Sequence, residues 1–171
     1  IAVKLAHAKG ASVEAEIGTL GKRELGLGHD DGIPTGDEPK KIYTDPKLAE
    51  AFVNETGIDA LACSFGTAHG LYLTQPKLDM SVLEAVKARV DIPLVMHGGS
   101  GVSDEDYAVA IENGICKVNY YTYMNTAGGK ASKEYWADDS KPLFYDSMSL
   151  VATEAIKEDV KRAIKVFQKI K

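Results

Sequence analysis

The chain has 171 residues, 44% of them hydrophobic and 26% charged, with a formal net charge of −5. That is enough polypeptide for one ordinary domain with a real core, expected to span residues 1–171. No apolar run approaches the ~18–20 residues of a membrane-spanning helix, and no basic-then-apolar secretory leader is visible. An acidic balance without a basic stripe argues against a nucleic-acid partner.

The first ten residues read as the end of a helix, with Ile1, Leu5 and Ala8 at helical spacing and Gly10 as the stop. A start halfway through an amphipathic helix, without methionine, predicts a piece of something longer. Ser12–Ile17 alternates polar and apolar residues and breaks at Gly18, as a strand does. Gly18–Thr44 has no hydrophobic period, and a loop that long predicts a functional or mobile segment. Asp45-Pro46 supplies a cap and a first-turn proline for a helix with Leu48, Ala51 and Phe52 inward and Gly57 at its end.

A second strand is expected over Ala60–Phe65. Ser81-Val82-Leu83-Glu84 matches a capping box, and Val82, Leu83, Val86 and Val90 form the stripe of a short helix. Pro93–Met96 is the third strand. Ser103 opens another helix, with Tyr107, Ala110 and Ile111 inward and Gly114 as stop, before a fourth strand over Ile115–Asn119. Thr126–Tyr135 is expected to be helical. The final helix starts near Ser147, with Ala152, Ile156, Val160, Ala163, Ile164 and Phe167 on one face.

Strands alternating with helices predict an α/β protein with a parallel sheet and right-handed crossovers. An open doubly wound sheet stays possible, although no strand is followed by a Gly-x-Gly-x-x-Gly turn. Half of a TIM (β/α)8 barrel, about its last four strands and their helices, accounts for the truncated start and for polar, glycine-rich residues after each strand. The half barrel is the architecture expected.

Two histidines sit at matching addresses. His69, in Ser64-Phe65-Gly66-Thr67-Ala68-His69-Gly70, and His97, in Val95-Met96-His97-Gly98-Gly99-Ser100-Gly101, each end or closely follow a buried-type strand and precede glycine. The carboxyl ends of parallel strands are where α/β sites form, and imidazole is the commonest zinc ligand. Together they predict two ligands of one metal. Cys63 and Cys116 fall in apolar strand-like runs and are expected as buried, reduced thiols, which suits a reducing cytoplasm.

Taken in order, Val13–Gly18, Gly66–Gly70, His97–Gly101 and Lys117-Val118-Asn119 resemble the class II, zinc-dependent ketose-bisphosphate aldolases of the fructose- and tagatose-bisphosphate type. The resemblance runs along most of the chain to about Thr122 and matches the family's carboxyl-terminal half. It implies reversible aldol cleavage of a ketose 1,6-bisphosphate to dihydroxyacetone phosphate and an aldehyde. Zinc would polarise the triose-phosphate carbonyl and stabilise its enediolate.

The same resemblance assigns residues. His69 and His97 match two of the family's three zinc histidines. Glu16 matches a carboxylate near the metal, with Glu14 alternating beside it less clearly. Gly70, Gly98, Gly99, Ser100, Asn119, Tyr120, Tyr121 and Thr122 match the region that binds the substrate phosphate. Backbone N–H groups and hydroxyls at such loops, with a helix N-terminus behind them, suit an anion. Glu24 has the spacing from Glu16 of the family's loop glutamate, which removes the proton from the triose phosphate. The resemblance also implies a monovalent cation (Na+ or K+), a homo-oligomer of two or four subunits, and a cytoplasmic enzyme.

Three departures stand out. The family's third zinc histidine and its adjacent catalytic aspartate have no match, since His7 falls in a helix and His29 in the loop. By itself the chain is therefore expected to be inactive, with zinc weak or absent. Tyr121 is bulky where smaller residues are usual, and Lys22-Arg23 differ from the family's loop; His29-Asp30-Asp31 is a weaker metal alternative. The competing readings are a non-catalytic half barrel that binds a phosphate ligand or serves assembly, and another metal-dependent carbon–carbon lyase or epimerase.

Overall fold

The computed structural model describes residues 1–18, 21–23, 43–70 and 76–168, with the backbone alone at 21–23 and 68–70. It divides into two compact units, Ile1–Asn119 and Tyr120–Lys171. Among the described residues no helix is long and apolar enough to cross a membrane.

The first unit holds α1 (Ala2–His7), β1 (Glu14–Ile17), β2 (Gly21–Arg23), α2 (Pro46–Thr56), β3 (Ala60–Cys63), β4 (Ala68–Gly70), α3 (Met80–Lys87), β5 (Leu94–Met96), α4 (Asp104–Glu112) and β6 (Ile115–Val118). β1, β3, β5 and β6 form a four-stranded sheet in that order, every pair parallel. Each new strand is laid beside the last, with α2, α3 or α4 between. A doubly wound sheet reverses direction at a switch point; this one runs one way, as a barrel wall does. β2 and β4 form a separate parallel pair, with Lys22 opposite His69. The stretch expected as loop from Gly18 to Thr44 thus includes a short strand.

β3 and β5 are buried on both faces, as central parallel strands are: Leu61, Ala62, Leu94, Val95 and Met96 are all fully buried. Leu83 and Val86 of α3 and Tyr107 and Ala110 of α4 pack into the same core. Each large aliphatic side chain so buried contributes roughly 1.5–3 kcal/mol.

Local chemistry sets the helix ends. The Asp45 carboxylate accepts from the N–H groups of Lys47 and Leu48 at 2.9 Å, and Gly57 closes α2 at φ +67°. The cap of α3 is Asp79, whose carboxylate takes both the N–H and the hydroxyl of Ser81, so Ser81 lies inside the helix rather than capping it. α2 also turns a different face inward. Leu48 and Ala51 are exposed, while Ala49 is buried and Phe52, Val53 and Thr56 are partly covered. Cys63 is buried as expected, but Cys116 is exposed. Pairing of β5 with β6 shifts register between Leu94 and Val95, opposite Cys116, where β6 is an edge strand.

The second unit is a helical hairpin of α5 (Thr122–Trp136) and α6 (Tyr145–Phe167). α5 begins four residues earlier than the periodicity suggested. At Gly128 a Cβ would stand 2.8 Å from Ile156, so the bare backbone lets the helices approach closely. On α6, Ala163 is buried whereas Ile164 is 46% exposed, which puts Ile164 off the packed face.

Candidate active site

β1 carries Glu14 and Glu16 on one face, because successive side chains alternate, with Val13, Ala15 and Ile17 on the other. His97 follows β5 directly. Its Nδ1 is 3.0 Å from Glu16 Oε2 and its Nε2 is 3.0 Å from Glu14 Oε1. The ring is well covered, at 16% exposure, between two half-covered carboxylates. Both nitrogens therefore face carboxylate oxygens. Lys117 Nζ lies 2.9 Å from Glu14 Oε2 and 2.5 Å from Asn119 Oδ1. Burial alone would raise the Glu14 carboxyl, but Lys117 and then His97 outweigh it and hold it below the ordinary glutamate value.

The glycine run after His97 makes a tight turn. Gly98 and Gly101 take φ of +63° and +96°, a region that favours glycine. The carbonyl of Gly99 accepts from Val102 N–H at 3.1 Å and from the Tyr107 hydroxyl. A Cβ at Gly99 would stand 2.9 Å from that hydroxyl. Ser100 is buried. Ser103 Oγ caps α4 by accepting from Asp106 N–H at 3.0 Å, and the first turn carries Asp104, Glu105 and Asp106. An acidic, self-capped turn is a poor anion site, so the phosphate expectation rests on the glycine loop more than on the helix end.

Thr44 was not among the residues expected from sequence. Its hydroxyl donates to the Ile17 carbonyl at 2.6 Å and accepts from Ser64 N–H at 2.8 Å, while its own N–H donates to the Ser64 carbonyl at 2.8 Å. It ties the carboxyl ends of β1 and β3 together. Gly18, at φ +106°, leaves room for that hydroxyl. The buried Thr67 hydroxyl, two residues before His69, has no hydrogen-bond partner among the described residues. Neither threonine belongs to a periodic pattern that would have singled it out.

The expected residues fall into three groups. Glu16, His97, Gly98, Gly99, Ser100 and Asn119 stand after or within the parallel strands of the first unit, and Asn119 N–H extends the β5–β6 pairing to the Met96 carbonyl at 3.0 Å. His69 and Gly70 are placed by backbone in β4. The His69 side chain lies outside the described residues, as do Glu24 and His29-Asp30-Asp31. Tyr120, Tyr121 and Thr122 open the second unit. There the Tyr120 hydroxyl donates to Asp159 at 2.7 Å and receives Arg162 at 3.2 Å. Tyr121 is 62% exposed.

Among the described residues no three His, Cys, Asp or Glu side chains converge on a point that could hold a metal. His97, Glu14 and Glu16 are of the residue types that bind zinc, with the two carboxylates on opposite nitrogens of the ring. A metal on one ring nitrogen would leave the other donating to a carboxylate, the arrangement that orients metal-bound histidines.

Comparison with known proteins decides the family. The model of class II fructose-bisphosphate aldolases matches residues 1–171. The chain belongs to this family. It is 42% identical over 167 residues to the D-tagatose-1,6-bisphosphate aldolase subunit GatY of Klebsiella oxytoca, a match covering 96% of this chain and 55% of that protein. Among solved structures, the YdjI aldolase of Escherichia coli K12 matches with TM-score 0.73 and 33% identity, over 97% of this chain and 51% of YdjI. The fructose-bisphosphate aldolase (Fba) of Campylobacter jejuni, at 24% identity and TM-score 0.69 over 98% of this chain and 54% of its own, shares the fold. The chain spans about half the length of the relatives it matches. Its parallel strands and flanking helices are those of half a class II aldolase TIM barrel.

Proposed function

We propose that this chain supplies part of the active site of a ketose-1,6-bisphosphate aldolase of the tagatose or fructose type. The observation that carries the reading is His97 at the end of β5, bracketed by Glu14 and Glu16, within a chain that matches the family throughout. His69 and His97 would hold zinc, with Glu16 beside it. Bound there, zinc supplies Lewis-acid polarisation of the substrate carbonyl.

The remaining work falls to side chains and loop backbone. Glu24 takes the proton from the triose-phosphate carbon. Gly70, Gly98, Gly99, Ser100 and Asn119–Thr122 hold the phosphate through N–H groups, hydroxyls and the Asn119 carboxamide. A monovalent cation near the phosphate would offset charge that an acidic chain does not neutralise with lysines. On this reading the family's third zinc histidine and its catalytic aspartate have no match in the chain, and turnover depends on residues that supply those two roles. We read the complete enzyme as a cytoplasmic homo-oligomer.

The test is a coupled aldol-cleavage assay of the complete enzyme on D-tagatose 1,6-bisphosphate and D-fructose 1,6-bisphosphate, with and without a zinc chelator. Cleavage that the chelator abolishes and added zinc restores is the expected result. Cleavage of neither sugar, in a zinc-loaded folded protein, would overturn the reading.

A further inference from the structure

Lys117 sits where two parts of the proposed site meet. β1 and β6 are the outermost strands of the sheet, with β3 and β5 between them. In a flat sheet they would be separated by about 14 Å, three strand spacings. Yet Lys117 on β6 reaches Glu14 on β1 at 2.9 Å. The same ammonium is 2.5 Å from Asn119 Oδ1. Glu14, through its other oxygen, is 3.0 Å from His97 Nε2. The result is a continuous polar chain, Asn119–Lys117–Glu14–His97, that links a phosphate-region residue to a metal-region residue.

The chemistry of the links gives the chain a direction. An ammonium only donates, so it selects the oxygen of the Asn119 carboxamide and turns the Nδ2 hydrogens away from itself. A carboxamide held in that flip offers donors, which an anion needs. Left alone, the amide could present its oxygen, which a phosphate would repel. Glu14, fixed by the same ammonium, has one oxygen left to hold the His97 ring in a set orientation. An isolated exposed ion pair would contribute little to stability. Lys117 differs from such a pair because each of its contacts orients a residue of the site.

We propose that Lys117 is a positioning residue of the active site, fixing the Asn119 carboxamide with its N–H groups outward to the substrate phosphate and, through Glu14, the orientation of the His97 ring. The proposal rests on the aldolase reading for the phosphate. The His97 link stands independently of it.

Two measurements decide it. In the metal-free protein, Lys117→Met should move the ring nitrogen resonances of His97, assigned by their loss in His97→Asn, and Lys117→Arg should restore them. In the complete enzyme, Lys117→Met should raise KM for D-tagatose 1,6-bisphosphate about tenfold, the scale of one hydrogen bond to a charged group. Lys117→Arg should recover most of that loss, and Lys117→Met should add no further rise in an Asn119→Ala background. Lys117→Gln replaces the methionine variant if that one does not fold. Unmoved His97 resonances, a KM within about twofold of the parent, or an equal rise in the Asn119→Ala background would each overturn the proposal. Should the parent enzyme cleave no ketose bisphosphate, the aldolase reading fails, and the His97 resonances still decide whether Lys117 orients that ring.

Discussion

Glu14 and Lys117 stand on the first and last strands of the four-stranded sheet and are 2.9 Å apart. Contact between side chains on strands that far apart requires the sheet to curl toward its polar face. Strand twist and tilt supply that curvature in barrels. The contact brings His97, Glu14, Glu16, Lys117 and Asn119 into one cluster, although 105 positions separate Glu14 from Asn119 (119 − 14).

Thr44 tests how the ends of β1 and β3 are joined. Thr44→Val keeps the shape but removes the donor to the Ile17 carbonyl and the acceptor for Ser64 N–H. Leaving buried backbone groups unpaired costs about 1–3 kcal/mol each, so urea unfolding should show a loss of roughly 2–4 kcal/mol. Thr44→Ser keeps the hydroxyl and should lose only about 1 kcal/mol, the value of a buried methyl. Equal losses for the two variants would mean the hydroxyl bonds contribute nothing.

Gly128 and Gly129 are neighbours in α5 with opposite surroundings. A Cβ at Gly129 meets nothing within 4 Å, whereas at Gly128 it meets Ile156 Cδ1 and Cγ1 at 2.8 Å. Gly129→Ala should stabilise by about 0.5–1 kcal/mol through helix propensity. Gly128→Ala gains the same propensity but must displace Ile156, and should end about 1–3 kcal/mol below it. Thermal melts of the pair by circular dichroism provide the check. Identical melting temperatures would contradict the close approach of α5 and α6.

Cys63 and Cys116 should separate under a thiol reagent. Cys63 is 1% exposed, and burial, with Glu16 adding to it, pushes its thiol up to about 12. Cys116 is exposed. Titration of the native protein with a disulfide reagent near pH 8 should modify Cys116 quickly and Cys63 only on unfolding. Rapid modification of both in the folded state would place Cys63 at the surface.

Tyr120 ties the start of α5 to α6 through Asp159, Arg162 and an edge contact with the Phe167 ring. Burial, then Asp159, raises its hydroxyl to about 12. A raised pKa means the folded state holds the proton more tightly than the unfolded chain. The stabilisation is therefore full below about pH 10, the ordinary tyrosine value, and is lost as pH rises toward 12. Tyr120→Phe should destabilise by roughly 1 kcal/mol at pH 8, the net value of one hydrogen bond. That deficit should shrink between pH 10 and 12. A deficit independent of pH across that range would show that proton binding at Tyr120 is not linked to folding.

The sequence by itself determined the alternation of strands and helices, the strand-end address of His97, the shared face of Glu14 and Glu16, and the family, whereas His69 lies within β4 rather than after a strand. These follow from local rules: side chains alternate along a strand, glycine marks positive φ, and Ser or Asp caps a helix. Where two local solutions were nearly equal, only the tertiary structure chose. α2 could turn Leu48 and Ala51 or Ala49 and Val53 inward, and the packed neighbours selected the second. The α3 cap differs for a local reason: the Asp79 carboxylate accepts from both the N–H and the hydroxyl of Ser81, which places Ser81 inside the helix. Cys116 carried an apolar signature, but its strand lies at the edge of the four-stranded sheet beside a register shift, and among the described residues it is exposed. The contacts of Lys117 with Glu14, and of Thr44 with Ile17 and Ser64, have no sequence period at all. They depend on how far the sheet curls and where the chain returns to the rim, and those are properties of the packed whole.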